Sequence, residues 1–441
     1  MVKNSSYWIN SGINSLIERI SILLFGITGF VLLVRLLDKE SYGIWMLFLT
    51  IITLVETARH GFFKNPLIKN IHTSGEKPED VQFASFIIHL VLNIAVALLL
   101  WGLSYQIEML WDAPGMAELF LLNLIISVFQ VIFFHGEYVS KGYMEFARSA
   151  WGYFSKGLFF VTPLAIHYVL KIPLTLYYVG VYYSIATILS AILMWIFTRK
   201  YFKLKQKFQL SIGWKLIHYG KYTLGTNLSA MLMRSTDTWM IGIYLNPIAV
   251  ASYNVAVRIA NLFELPSMAL ANILYPQAVK QSKIDGNDSF KKLYEVSVAA
   301  IIMIVTPLVI FAILFSDPII YLLAGTQYAE SADLLKITML YGLIIPFNKQ
   351  MGILLDAYGK AKINMFFTIR NTVINIILNA IAIPYFGVIG AAYATLSTFL
   401  IILVINQNYL NKHYNIKFLS VFNEMFQLIV KLKARLSSKP K

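Results

Sequence analysis

The sequence predicts an all-α integral membrane protein of about 12 transmembrane helices, arranged as two six-helix lobes related by a pseudo-two-fold axis along the membrane normal. Three observations predict it. Of the 441 residues 58% are hydrophobic and 13% charged, against roughly half and a quarter in an ordinary soluble domain, so lipid must solvate most of the chain. Runs such as Phe86 to Leu103 and Val298 to Phe315 are almost continuously apolar. They match the roughly 20 residues that a spanning helix needs and lack the alternation of a barrel strand. Finally, lysine and arginine gather in alternate loops, the asymmetry that orients helices in a bilayer.

Apolar runs and their breakers place helices at 12–37, 42–63, 82–105, 117–139, 146–168, 174–198, 218–244, 249–275, 293–315, 331–356, 363–384 and 388–410. The first shows no small-residue cleavage site and reads as a retained span rather than a signal peptide. It ends at Arg35, and the first loop carries only Lys39. The loop after the second helix carries Lys64, Lys69 and Lys77, and that after the fourth Lys141 and Arg148. The fifth is followed by Lys171 alone, whereas the sixth leads into Arg199, Lys200, Lys203, Lys205, Lys207 and Lys215. Lys280, Lys283, Lys291 and Lys292 follow the eighth helix, and Lys360 and Lys362 the tenth. Positive residues mark the cytoplasmic side, so both termini are expected there, which requires an even number of spans.

Internal repeats support two halves. Leu37 to Gly43 and Leu245 to Asn254 each link the first helix of a half to its second. Ala165-Ile166-His167-Tyr168 echoes Ala382-Ile383-Pro384-Tyr385, and Gly180 to Ser190 echoes Gly390 to Leu400, all at offsets of about 210 residues. The expected organisation is an N-lobe over 1–205, a C-lobe over 206–411 with a connecting basic segment at 198–217, and a basic amphipathic cytoplasmic tail over 412–441. Repeats of this kind place a binding site between the halves. In the tail, Phe418, Val421, Phe422, Met425, Ile429 and Leu432 recur at helical spacing among lysines, as in an interfacial helix attracted to anionic headgroups; a frayed polar tail is the alternative.

Several function classes drop out. There is no cysteine, and the seven histidines include no closely spaced ligand pair, so neither a disulfide framework nor a cysteine metal site is expected. No Walker-type phosphate loop or nucleophile elbow is present; no catalytic residue, metal or cofactor is assigned. The net charge of +15 is spread over many loops with no binding module, which argues against nucleic acid.

Ionisable residues inside spans are costly and usually face a cavity or a partner. The first helix carries Glu18 and Arg19, the second Glu56 and Arg59 three apart, and the fifth Lys156. The seventh carries Arg234 and Asp237, the eighth Arg258, the tenth Lys349 and Asp356, and the eleventh Arg370 beside Asn371, Asn375 and Asn379. The balance is cationic even with Glu137 and Glu264 counted, which favours an anionic cargo; arginine in particular forks onto phosphate oxygens. Each has a plainer reading. Arg19, Arg59, Arg258 and Arg370 lie near enough to helix ends to snorkel, Arg234 and Asp237 can form a structural pair, and the asparagines can be glue between helices.

Three motifs carry a family resemblance. They are Val34 to Gly43 continuing through Thr57-Ala58-Arg59-His60-Gly61, then Arg234 to Tyr253 running on to Tyr275-Pro276, and Asn375 to Asn379 with Ile383 to Ala392. Together they span most of the chain, which resembles the Wzx-type polysaccharide and O-antigen flippases of the multidrug/oligosaccharidyl-lipid/polysaccharide exporter superfamily. The resemblance implies a flippase that carries an undecaprenyl-pyrophosphate-linked oligosaccharide across a bacterial cytoplasmic membrane by alternating access. Its implied partners are that lipid carrier, membrane lipids, and the polymerase and glycosyltransferases of the pathway. On this reading Arg19, Arg59, Lys156, Arg234, Arg258, Lys349 and Arg370 are candidate headgroup contacts, with Glu18 and Asp237 as candidate ion-coupling carboxylates. The rival readings are a cation-coupled multidrug exporter, which should present an acidic cavity, a lipid II flippase, and a membrane glycosyltransferase or ligase.

Overall fold

The computed structural model describes residues 5–73, 77–201, 209–282 and 286–437. Lys203, Lys205 and Lys207 of the connecting segment, Lys283, and Lys439 and Lys441 of the tail lie outside the described residues. The chain forms two compact units, Met1–Met231 with Asn246–Ala251, and Leu232–Leu245 with Ser252–Lys441.

Unit 1 contains α1 (Ser5–Leu36), α2 (Lys39–Arg59), a π-helical turn (His60–Lys64), α3 (Asn65–Thr73), α4 (Pro78–Gly102), α5 (Ser104–Trp111), α6 (Met116–Gly142), α7 (Phe146–Leu170), α8 (Leu176–Thr198) and the start of α9 (Leu210–Tyr244). Asp38 caps α2, accepting from the Ser41 backbone N–H at 2.8 Å and its hydroxyl at 3.0 Å, and so satisfies donors that a helix start leaves orphaned. The π turn matters more for the site. It winds the chain one residue wider just after Arg59, and such turns commonly re-aim side chains at functional positions. Beneath it lies a core of Phe63, Leu67, Val81, Phe133, Phe134, Tyr138 and Met194.

Unit 2 continues α9 into α10 (Pro247–Leu262), α11 (Leu265–Gln281), α12 (Gly286–Leu314), α13 (Ser316–Ala324), α14 (Ser331–Gly342), α15 (Ile345–Ala357), α16 (Ala361–Tyr414) and α17 (Phe418–Ser437). Gly387, at φ 61° and ψ −145°, interrupts α16, so that run consists of two helices, close to the expected 363–384 and 388–410. A Cβ on Gly390 would come 2.2 Å from the Ala382 carbonyl oxygen, so the backbones approach there as only glycine allows. The expected helices 249–275 and 331–356 are each broken in two, α10 from α11 and α14 from α15. In both cases a proline, Pro266 or Pro346, stands second in the resumed helix, where its missing N–H costs least.

The half-chain repeat is visible in the elements themselves. Short helices α5 and α13 each follow the third long helix of their half and start at Ser104 and Ser316, about 210 residues apart. Among the described residues, seven helical stretches have the length and apolar composition to cross a bilayer: 10–36, 39–71, 78–102, 116–142, 176–201, 287–314 and 361–414. The chain is a multi-pass membrane protein. The tail helix α17 is docked on unit 2: Val421 is buried, the Phe418 ring lies 5.3 Å from that of Phe347, and Glu424 meets Lys292 at 2.6 Å. Its Leu419 and Phe426 remain exposed.

Candidate functional site

In unit 1 the sequence candidates Arg59 and Lys156 come together on aromatic rings. Arg59, the last residue of α2, is 5% exposed. Its Nη1 donates to the Asn93 side chain on α4 at 2.8 Å, and the Asn93 amide donates onward to the Ser127 carbonyl on α6 at 2.8 Å. Glu56, one turn earlier, lies 3.7 Å from Nη2. The Arg59 Nε and Nη2 groups are buried without a hydrogen-bond acceptor. A guanidinium can donate five hydrogen bonds, so Arg59 keeps donors that the described residues do not fill, although the Glu56 Oε1 beside Nη2 likewise lacks a hydrogen bond. Arg59 also lines a small cavity together with Glu56, Asn93, Asn123, Gln130 and five apolar side chains.

The Phe134 ring carries the Arg59 guanidinium at 4.1 Å and the Lys156 ammonium at 5.2 Å. Lys156 also lies over Phe133 at 5.2 Å and Tyr183 at 5.5 Å. It is held by three aromatic faces, which attract a cation without neutralising it. Neither the Asn93 tether nor Phe134 was identified in the sequence. Asn93 was detectable as a polar residue inside the Phe86 to Leu103 run, whereas Phe134 was one aromatic among many.

Glu18 is held differently. It accepts from Lys141 at 2.8 Å and from Ser149 at 2.7 Å. Lys141 bridges on to Glu137 at 2.7 Å, where Tyr153 also donates at 2.7 Å and Lys64 lies 3.5 Å away. Two buried carboxylates and two lysines thus tie α1, α6, α7 and the π turn together. Arg19 beside Glu18 is exposed.

In unit 2, Arg234 and Lys349 share one carboxylate, Glu264, at 4.0 and 3.4 Å. Glu264 sits at the α10/α11 break, and Lys349 is in α15 just after the α14/α15 break. A pocket at these breaks is lined by Asn261, Glu264, Thr338 and Tyr341, and interrupted helices within a membrane protein commonly line such cavities. Two cations on one carboxylate leave the group positive. Arg258 is half-buried. Arg370 is tied to Asn371 and Asn406 at 2.8 Å each and lies 4.6 Å over Phe367, so its donors are largely committed within the unit.

The structural pair read from the spacing of Arg234 and Asp237 is not formed. Arg234 is exposed toward Glu264, while Asp237 is 6% exposed and turned inward. Its carboxylate accepts from Tyr253 at 2.5 Å, Thr395 at 2.7 Å and Asn379 at 2.7 Å. All three donors are neutral, and among the described residues no cationic side chain pairs with it. The Asn375 and Asn379 side-chain oxygens beside it are buried without a donor. The helix-eleven asparagines therefore bind a carboxylate as well as joining helices. Tyr253 and Thr395 lie within segments already singled out, the helix-eight opening and the Gly390 echo, but their convergence on Asp237 needed the fold.

Known proteins place this arrangement. Residues 32–333 match the sequence profile of a family described as polysaccharide biosynthesis protein. A probable low-salt glycan biosynthesis flippase of the archaeon Haloferax volcanii, Agl15, is 27% identical over 203 residues, 46% of this chain and 43% of that protein. The match thus spans less than half the length of that relative. The fold is shared with the lipid II flippase MurJ in an inward closed conformation, at TM-score 0.76 and 15% identity over 98% of this chain and 94% of that one. It is shared too with an inward-facing multidrug transporter of the MATE family, at TM-score 0.75 and 14% identity over 92% of this chain and 98% of that one. With more than half of its length under the family profile, and with the two-unit helical fold of these transporters, the chain belongs to the polysaccharide biosynthesis protein family.

Proposed function

We propose that the protein is a flippase that moves an undecaprenyl-pyrophosphate-linked oligosaccharide from the inner to the outer leaflet of a bacterial cytoplasmic membrane, with both termini cytoplasmic. The observation that carries the reading is Arg59, a buried guanidinium whose Nε and Nη2 groups lack hydrogen-bond acceptors, beside a small cavity of mixed polar and apolar lining. Such donors match the oxygens of a pyrophosphate in number and in planar geometry. Lys156 adds a charge that, among the described residues, sits on aromatic rings without an ion-pair partner, and Arg234 with Lys349 provides a second cationic group in unit 2. A drug pump for cations would need the opposite balance. The family and the Agl15 relative support a glycan cargo, and the loop lysines support the orientation.

The same proposal assigns ion coupling to Asp237 rather than Glu18. A buried carboxylate among neutral donors in a membrane protein calls for a proton or a small cation as countercharge, whereas Glu18 already has Lys141. Deletion of the gene should cause lipid-linked oligosaccharide to accumulate on the cytoplasmic face. The wild-type gene should clear it, and Arg59→Ala and Asp237→Asn should each restore less than about a tenth of that clearance. Full complementation by Arg59→Ala would remove this residue from the cargo site, and absence of accumulation in the deletion would overturn the function.

A further inference from the structure

Within electrostatic reach of Arg59, unit 1 holds His60 and His89, with His135 beside them, and the headgroup reading leaves all three unused. His60 opens the π turn, His89 lies on α4 one turn before Asn93, and His135 lies on α6. His89 and His135 are completely buried. The His60 and His89 rings both pack on Tyr138, at 5.3 and 5.9 Å, while His89 stacks on Phe63 at 4.5 Å and lies 6.3 Å from His135. Both nitrogens of His89 lack a hydrogen-bond partner, as does the Tyr138 hydroxyl. Orphaned buried polar groups are costly, and such groups in a native core call for an explanation.

The charges around the cluster supply one. Arg59 from α2 lies within electrostatic reach of both His60 and His89, and Glu56, Lys64 and Glu137 within reach of His60. Lys156 of α7 stands over Phe134, against whose ring His60 packs at 5.2 Å. Arg59 is the fixed charge that acts on His89, and a cation there opposes a second positive charge, that of a proton on the imidazole. A pyrophosphate diester on Arg59 would bring two negative charges and reverse the sign of that local charge. The same proton would then be held by the anion and by the faces of Phe63 and Tyr138, since aromatic faces attract cations.

We propose that the His60, His89 and His135 cluster takes up one proton when a pyrophosphate anion occupies the Arg59 pocket, so that cargo and proton bind together. The inference rests on the Arg59 site being the headgroup site. Coupling of this kind is reciprocal: the anion favours the proton, and acid favours the anion.

The test uses the full-length protein in nanodiscs and citronellyl-pyrophosphoryl-N-acetylglucosamine, whose esterified phosphates do not titrate near neutrality. Calorimetry in buffers of different ionisation enthalpy counts protons. The wild type should take up close to one proton per ligand near pH 7.5, and its affinity should rise by up to about tenfold per unit fall in pH. The His60→Gln/His89→Gln variant should bind with little proton uptake and a flat pH profile. Binding by the wild type without proton uptake overturns the coupling, whether or not the variant folds. Uptake that persists unchanged in this folded variant and in one that also carries His135→Gln overturns the assignment to these histidines. Absence of binding at every pH, or binding unaltered in Arg59→Ala, instead overturns the headgroup site itself.

Discussion

Asn379 donates to the Asp237 carboxylate at 2.7 Å, joining side chains that lie 142 positions apart in the sequence. The bond gives Asp237 one of its three neutral donors, and it forms only because α16 passes beside α9. Thr395, in the second half of α16, donates to the other carboxylate oxygen at 2.7 Å. Removing one donor should leave a buried charge less satisfied. Thr395→Val, close in shape, is expected to lower stability by about 1–3 kcal/mol, read as a fall in the unfolding temperature of the purified protein. Wild-type stability would mean that the carboxylate does not depend on this hydroxyl.

The kink at Gly387 gives a backbone prediction. Its φ of 61° with ψ of −145° is a conformation that side chains other than glycine's adopt only with strain. Gly387→Ala should therefore cost about 1–3 kcal/mol although nothing crowds the position. Gly26→Ala, also in open space but inside α1, should be neutral or stabilising by up to about 1 kcal/mol. Equal unfolding temperatures for the two variants would contradict the role of the kink.

Much of the fold was legible because hydrophobic run length is a local signal. The breaks after Leu262 and Gly342 were missed although Pro266 and Pro346 were in view, because apolar residues continue on both sides and a run does not record an interruption. For the site, charge inside spans singled out Arg59, Lys156 and Asp237, and the structure buries the first and last and sets Lys156 over aromatic rings. It could not say who meets whom. The Arg234 and Asp237 spacing of three allowed a structural pair as the plainer reading, yet α9 turns the arginine outward and the carboxylate toward Tyr253, Asn379 and Thr395. The lysine that meets Glu18, Lys141, was read only as a loop charge, since partners from distant helices leave no mark on spacing.

At the α6/α7 turn, outside the spanning stretches, Glu145 offers a pH readout. Burial works to raise its carboxyl, but hydrogen bonds from Tyr201 and Lys200 and the Arg148 charge outweigh it and hold the group below its usual value. A depressed folded value stabilises the protein above the unfolded carboxylate's range, near pH 4.3, and that contribution fades as pH falls through the lower folded value. Glu145→Gln should then lower the unfolding temperature at pH 7 and flatten its decline between about pH 5 and 3. Parallel curves for variant and wild type would show that this cluster contributes nothing.

The buried ladder of Glu18, Lys141 and Glu137 allows a sharper experiment. Lys141 contacts both carboxylates, at 2.8 and 2.7 Å. Its replacement by methionine keeps the length of the side chain but strands two acids, of which, among the described residues, Glu137 alone retains another lysine, Lys64, at 3.5 Å. Breaking one side of a buried ion pair typically costs about 3–5 kcal/mol, so Lys141→Met should be strongly destabilised. Glu18→Gln in the same chain removes the more isolated acid while keeping an acceptor for Ser149, and should restore part of the loss, about 1–3 kcal/mol. Glu137→Gln should restore less, since Lys64 already compensates that carboxylate. The three unfolding temperatures order the contributions, and equal rescue by both glutamines would show that Lys64 does not serve as the second partner of Glu137.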